Sequence, residues 1–149
     1  MSLYRSGLRP ALAALAVLLL GARVALADPL PFLSEATLTL VSLHGNDYVR
    51  EGSGDATDLG PFTEVNDFTK HGNGYQGVAT LTNANGDSLV LAWEDEPVGS
   101  PGPATDYVGV YLIIGGTGAF ANATGSGMMT VHANPDGSTD QVFDGTISF

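Results

Sequence analysis

The sequence predicts an all-β chain, an eight-stranded antiparallel meander closed into a barrel, on three observations. Beyond residue 28 turn residues recur at short intervals, and the stretches between them alternate or run apolar over about five to ten residues. Nowhere there does an apolar period of about 3.6 residues persist for three turns, which excludes a substantial helix. Eight strands in sequence order would leave two raw edges in a flat sheet, and closure removes both. A two-sheet sandwich is the alternative.

Residues 1–27 read as a separate object. Arg5 and Arg9 precede the apolar run Ala11 to Leu20, and Ala25-Leu26-Ala27 has the small-x-small form of a cleavage site, the order of a secretory signal peptide. A membrane anchor needs about 20 apolar residues, and Gly21 and Arg23 interrupt this run sooner. Cleavage after Ala27 is therefore expected. It would leave residues 28–149 as one exported domain, periplasmic or secreted, with no further membrane contact.

The strands are expected at 36–43, 47–57, 62–69, 75–82, 88–94, 106–114, 127–133 and 139–148. Within 75–82, Tyr75, Gly77, Ala79 and Leu81 share one face, and Gln76, Val78, Thr80 and Thr82 the other. Asn83-Ala84-Asn85-Gly86-Asp87 then supplies residues that tolerate positive φ and closes a hairpin onto Ser88 to Trp93. After Trp93, Glu94-Asp95-Glu96-Pro97 and Gly99-Ser100-Pro101-Gly102-Pro103 read as the longest loop, since three prolines remove strand donors. Tyr107 to Ile114 is apolar on both faces, so one face needs cover beyond the core, which predicts a homo-oligomer. Gly115 to Gly127 reads as a compact loop around a buried Phe120, with at least one glycine at positive φ. Asn134-Pro135-Asp136-Gly137 has the proline and glycine positions of a turn. In the last strand Phe143, Ile147 and Phe149 oppose Asp144, Thr146 and Ser148.

Charge and composition exclude several functions. Residues 28–149 carry all sixteen acids against two bases, Arg50 and Lys70, a net charge of −14. A phosphate backbone is held by clustered Lys and Arg, so nucleic acid is excluded as a partner. The acidity itself reads as solubility through self-repulsion. With no cysteine there is no disulfide, thiolate metal site or thiol nucleophile. His44, His71 and His132 lack the spacing of ligand pairs, and neither Asn/Asp-Gly turn has a complete calcium-loop series, so no metal or other cofactor is expected. GGTGAFANATGSG lacks the Lys of a phosphate loop and runs on into a strand, which leaves its glycines a structural role. No nucleophile elbow is present. Asn122-Ala123-Thr124 is formally a glycosylation acceptor.

An ordered series of segments carries a resemblance. Glu51-Gly52-Ser53-Gly54, Asp58 to Thr63, Ala84 to Asp87, Gly115 to Gly125 (GGTGAFANATG) and Phe143 to Ser148 resemble exported bacterial proteins of the allene oxide cyclase barrel-like group, akin to plant dirigent proteins. The resemblance implies an eight-stranded antiparallel barrel. Its plant members include a cofactor-free cyclase and proteins that steer phenoxy-radical coupling, and they associate through their barrel walls. No motif places their active-site residues on this chain.

Acid–base chemistry at a barrel rim remains open from the residues themselves. Glu94 and Asp95 follow the strand bearing Trp93, and Asp106, Tyr107 and Tyr111 start or line the next. A carboxyl beside apolar walls acquires the raised pKa that proton transfer uses; the plainer account is solvated loop acids. Glu94, Asp95, Asp106 and Tyr111 are thus the catalytic candidates, and Trp93, Tyr107 and Tyr111 the ligand-binding ones. The leading function is a secreted non-catalytic barrel that binds a small apolar ligand or a protein partner. The alternative is a cofactor-free cyclase, isomerase or coupling-directing protein acting on an apolar substrate. An open apolar cavity with convergent polar groups favours the alternative, and a filled lumen favours the leading reading.

Overall fold

Eight strands follow one another around the structure, a computed structural model that describes residues 27–99 and 105–149. They are β1 (Leu30–His44), β2 (Asp47–Ala56), β3 (Gly60–His71), β4 (Gly74–Asn83), β5 (Ser88–Val98), β6 (Asp106–Gly116), β7 (Thr124–Ala133) and β8 (Thr139–Ser148). Each pairs antiparallel with the next, and β1 pairs with β8 from Leu30↔Ile147 to Leu38↔Thr139, which closes the barrel. Closure excludes the sandwich. The leader expected at 1–27 lies outside the described residues except for Ala27, as do residues 100–104 of the expected long loop.

Alternation sorts each strand into lumen and surface. Phe32, Ser34, Ala36 and Leu38 of β1 are buried while Leu33, Glu35, Thr37 and Thr39 face solvent, and Ala79 and Leu81 of β4 point inward as their face predicted. Large inward side chains lie against inward glycines of other strands. A Cβ at Gly145 would strike the Tyr111 hydroxyl, and one at Gly77 would strike Phe68, so these glycines give the aromatic rings their room.

Three expected boundaries move. β1 begins at Leu30, and its first residues are tied to β8. β5 runs on through Glu94, Asp95, Glu96 and Pro97 to Val98, with Pro97 opposite Tyr107. Proline is tolerated there because the β4 ladder ends at Tyr75↔Asp95, leaving that flank of β5 an edge. The glycine-rich loop is shorter than its composition suggests. Gly115 and Gly116 complete β6 and Thr124 to Gly127 open β7, leaving only a single 3₁₀ turn, Gly118–Phe120, between them.

That turn plugs one end of the barrel. Gly115 and Gly118 adopt φ of 137° and 56°, and Phe120 is buried against Phe149, with ring centroids 5.7 Å apart. Thr117 fastens the turn to β5. Its N–H donates to the Ser88 carbonyl at 2.8 Å, and its Oγ1 accepts from the Ser88 N–H at 2.9 Å. Above the plug the lumen is filled by Phe32, Phe62, Leu81, Leu89, Tyr111, Phe143 and Ile147, all buried. The opposite end, where the β1–β2, β3–β4, β5–β6 and β7–β8 connections lie, is not filled in this way.

Candidate functional site

The lumen opens at that second end into a cavity of about 210 Å³. One wall is aromatic. Tyr48 from β2 stacks on Phe68 from β3 at 5.1 Å and 6° between planes; Tyr75 from β4 meets Phe68 edge-on at 5.5 Å, Trp93 from β5 lies 5.6 Å from Phe68, and Tyr107 from β6 lies 5.6 Å from Tyr75. Leu38, Met129, Val131 and Ala133 supply an aliphatic wall. Polar groups reach the same space from Arg50, Asn66, Asp95, Thr139 and Gln141. An engineered cavity of about 150 Å³ accepts benzene, so this one has room for a single ring with a short substituent.

Beneath the cavity lies a connected polar belt. Trp93 Nε1 donates to Asn66 Oδ1 at 3.0 Å, and Asn66 Nδ2 donates to Gln141 Oε1 at 2.9 Å and to Glu64 Oε1 at 3.2 Å. Gln141 Nε2 donates to the same Glu64 oxygen at 2.7 Å. The network holds the indole in one orientation from below. Glu64 is 1% exposed, and its second oxygen has no hydrogen-bond partner. Burial pushes its carboxyl up to about 7, against the two amide donors that lower it.

Asp95 presents the cavity with a second unusual carboxyl. It is 7% exposed, and the Tyr75 N–H donating to Oδ1 at 2.9 Å is its one side-chain hydrogen bond among the described residues. Burial raises it to about 6, and that N–H partly offsets the rise. Tyr75 is raised to about 12 by burial and by the adjoining phenols of Tyr107 and Tyr48. Arg50 is half-buried on β2 and is lowered by desolvation.

The six residues singled out from sequence divide between two faces of the wall. Trp93, Asp95 and Tyr107 line the cavity. Glu94 and Asp106 do not: the in-strand alternation that turns Asp95 inward turns Glu94 outward, and Asp106 lies exposed at the start of β6, bound to His132 Nδ1 at 2.7 Å. Tyr111 sits deeper, 1% exposed, packed against Phe32 and Phe143 at 6.3 and 5.0 Å, with its hydroxyl unpartnered. It belongs to the filled lumen below the cavity. Tyr48, Arg50, Glu64, Asn66, Phe68 and Gln141 were not foreseen. Three of them share one face of β3 with Phe62, at the spacing Phe62, Glu64, Asn66, Phe68, but the opposite face is mixed as well, so the spacing alone does not mark the inner one. Among the described residues no group of three His, Asp or Glu side chains is placed to hold a metal.

The sequence matches no protein-family model. The fold is similar to the structure of a pterocarpan synthase dirigent protein, with a TM-score of 0.53 and 16% identity over 81% of this chain and 84% of that one. The likeness is one of fold: the chain builds a dirigent-like barrel.

Proposed function

We propose that this is an exported barrel that binds one small ring-bearing apolar molecule in the open end of its lumen and holds it in a fixed orientation. The observation that carries the reading is the cavity itself, a space of about 210 Å³ with aromatic walls and convergent polar groups above a lumen otherwise packed with side chains. Sites of this kind use apolar area for affinity and a few polar groups for orientation. The resemblance to exported allene oxide cyclase barrel-like proteins and the leader-like order of residues 1–27 support export.

Trp93 is the sole tryptophan and lines the cavity, so its fluorescence reports occupancy. Titration with a small aromatic alcohol such as 3-phenylpropan-1-ol is expected to give a saturable change at one equivalent. Ala133→Phe, which fills the cavity from its aliphatic wall, should abolish it. A linear, variant-insensitive response would reject the reading.

A second reading, a cofactor-free isomerase acting by proton transfer on the bound molecule, is favoured by the open apolar cavity with its convergent polar groups and by Asp95, a carboxyl held at about 6 inside it. Its test is deuterium exchange into an enolisable probe such as phenylacetone. The exchange should rise with an apparent pKa near that value and be lost in Asp95→Asn while the alcohol still binds. Equal exchange in the two proteins rejects it.

A further inference from the structure

We infer that the cavity selects ring-bearing molecules that carry a carboxylate, and that Arg50 is the residue that holds it; this rests on the binding reading above. Among the described residues the single ion pair is His132–Asp106, on the outer surface, so no acid lies within salt-bridge distance of Arg50. Yet sixteen acids are available in a chain that has two bases beyond residue 28. Many of those acids, Glu35, Glu51, Asp55, Asp67, Glu94 and Glu96 among them, face solvent on the outer wall. The arginine is instead directed into the lumen.

Its hydrogen bonds leave most of its donors free. Nη1 donates to the Gly137 carbonyl at 3.1 Å and to Thr139 Oγ1 at 3.4 Å, both neutral acceptors. A guanidinium carries five N–H donors in a planar fork. Nη2 and Nε make no hydrogen bond among the described residues, and the side chain lines the cavity. Desolvating a cation without an acid partner costs free energy, and burial lowers the Arg50 pKa, an effect that the neighbouring Tyr75 phenol only partly offsets. A carboxylate supplies both the missing charge and two parallel acceptors. Two neutral acceptors at the β7–β8 turn do not require a guanidinium; an amide would serve them.

The other ionisable groups lining the cavity set how selective it is. Tyr48 shares β2 with Arg50, Tyr75 and Tyr107 stand on β4 and β6, and Asp95 faces the space from β5, three strands away around the barrel. The phenols are neutral donors. Asp95, when ionised, repels the same carboxylate that Arg50 attracts, so removing its charge should tighten binding of an acid.

Three probes with one ring and three charges test the inference: 3-phenylpropanoate, 3-phenylpropan-1-ol and 3-phenylpropan-1-amine, titrated at about pH 7.5 against Trp93 fluorescence with calorimetry alongside. The acid is expected to bind about tenfold or more tighter than the alcohol, with the amine weakest. Arg50→Gln should bring the acid to or below the alcohol while changing the alcohol's own affinity by less than about threefold, and Arg50→Lys should keep part of the preference. Asp95→Asn should strengthen the acid. If the alcohol or the amine binds wild-type protein as tightly as the acid, Arg50 is not an anion site, although the binding reading stands. If none of the three binds, both fall. Should Arg50→Gln fail to fold, the wild-type ranking decides alone.

Discussion

Glu64 is the residue whose chemistry is furthest from what its position in the sequence suggests. In the native barrel it keeps a proton up to about pH 7, while the unfolded chain releases that proton near the ordinary value of 4.5. Between those values the native state holds the extra proton, so the free energy of unfolding falls as pH rises. The contribution is whole below about 4.5 and lost above 7, and a shift of that size corresponds to roughly 3 kcal/mol. Asp106, Asp136 and Asp140 act in the opposite sense. Their side-chain partners, His132, Ser138 and Asn134 in turn, hold each below its ordinary value, so their stabilisation is present above about pH 4 and lost as pH falls further. Asp95, raised to about 6 by burial, acts in the same sense as Glu64. Urea unfolding across pH 4 to 8 should therefore show stability declining towards neutrality, and Glu64→Gln should reduce the decline, most clearly above pH 6 where Asp95 has already ionised. Equal slopes in the two proteins would show that Glu64 is ionised at neutral pH. None of this was legible in the sequence, for a physical reason. On β3 the inward series Phe62, Glu64, Asn66, Phe68 and the outward series Thr63, Val65, Asp67 are both mixtures of apolar and polar residues. Alternation by itself then names no inner face, and only pairing with strands whose faces are clear decides it.

At the scale of elements, strands and tight turns were legible because their signals are local. The Asn83 to Asp87 hairpin closes with Asn83 Oδ1 accepting from the N–H groups of Asn85 and Asp87, both at 3.0 Å, chemistry that asparagine brings to any turn. Boundaries were less so. Pro97 reads as a breaker, yet it sits in β5 because the neighbouring ladder has already ended, a fact about register that composition does not contain. The same holds for Asp95: the reach of β5 beyond Trp93 is what carries this carboxyl into the cavity and Glu94 out of it. The plug turn was legible in kind. A side chain at Gly116 would collide with the Ser88 carbonyl and with Phe120, so the turn can seat its ring only over a bare backbone. Phe120 is 4% exposed, and Phe120→Ala is expected to cost about 3–5 kcal/mol, the usual penalty for emptying a buried aromatic site. A loss within about 0.5 kcal/mol in denaturant unfolding, the range of a surface residue, would mean that the plug does not close the core.

At the scale of the whole molecule, the described residues leave an apolar face on β6 and β7 uncovered. Val108, Val110, Leu112 and Ile114 point outward from β6 at 40, 48, 59 and 59% exposure, and Met128 adds 52% from β7. Leu30 to Leu33 cannot cover them, being paired with β8, and neither can Glu94 to Val98, which lie within β5. A stripe of a few hundred Å² marks an interaction site, and a stable interface needs about 800 Å² per partner, so the stripe would form the apolar centre of a larger contact. Acids border it. Glu94 and Glu96 lie opposite Val110 and Val108, and Asp144 lies opposite Met128. A second copy docking here brings like charges together at the rim, in a chain already at −14 beyond residue 28. Repulsion between rims is screened within about 8 Å at physiological salt but reaches about 30 Å at 0.01 M, whereas burial of the stripe does not depend on screening of this kind. Self-association should therefore be present at physiological salt and weaken on dilution of the salt. Light scattering at the two ionic strengths measures it, and Leu112→Asp should give a monomer at both by placing a charge in the centre of the contact. A monomer mass for the wild-type protein at both strengths would reject self-association and leave the stripe to another partner.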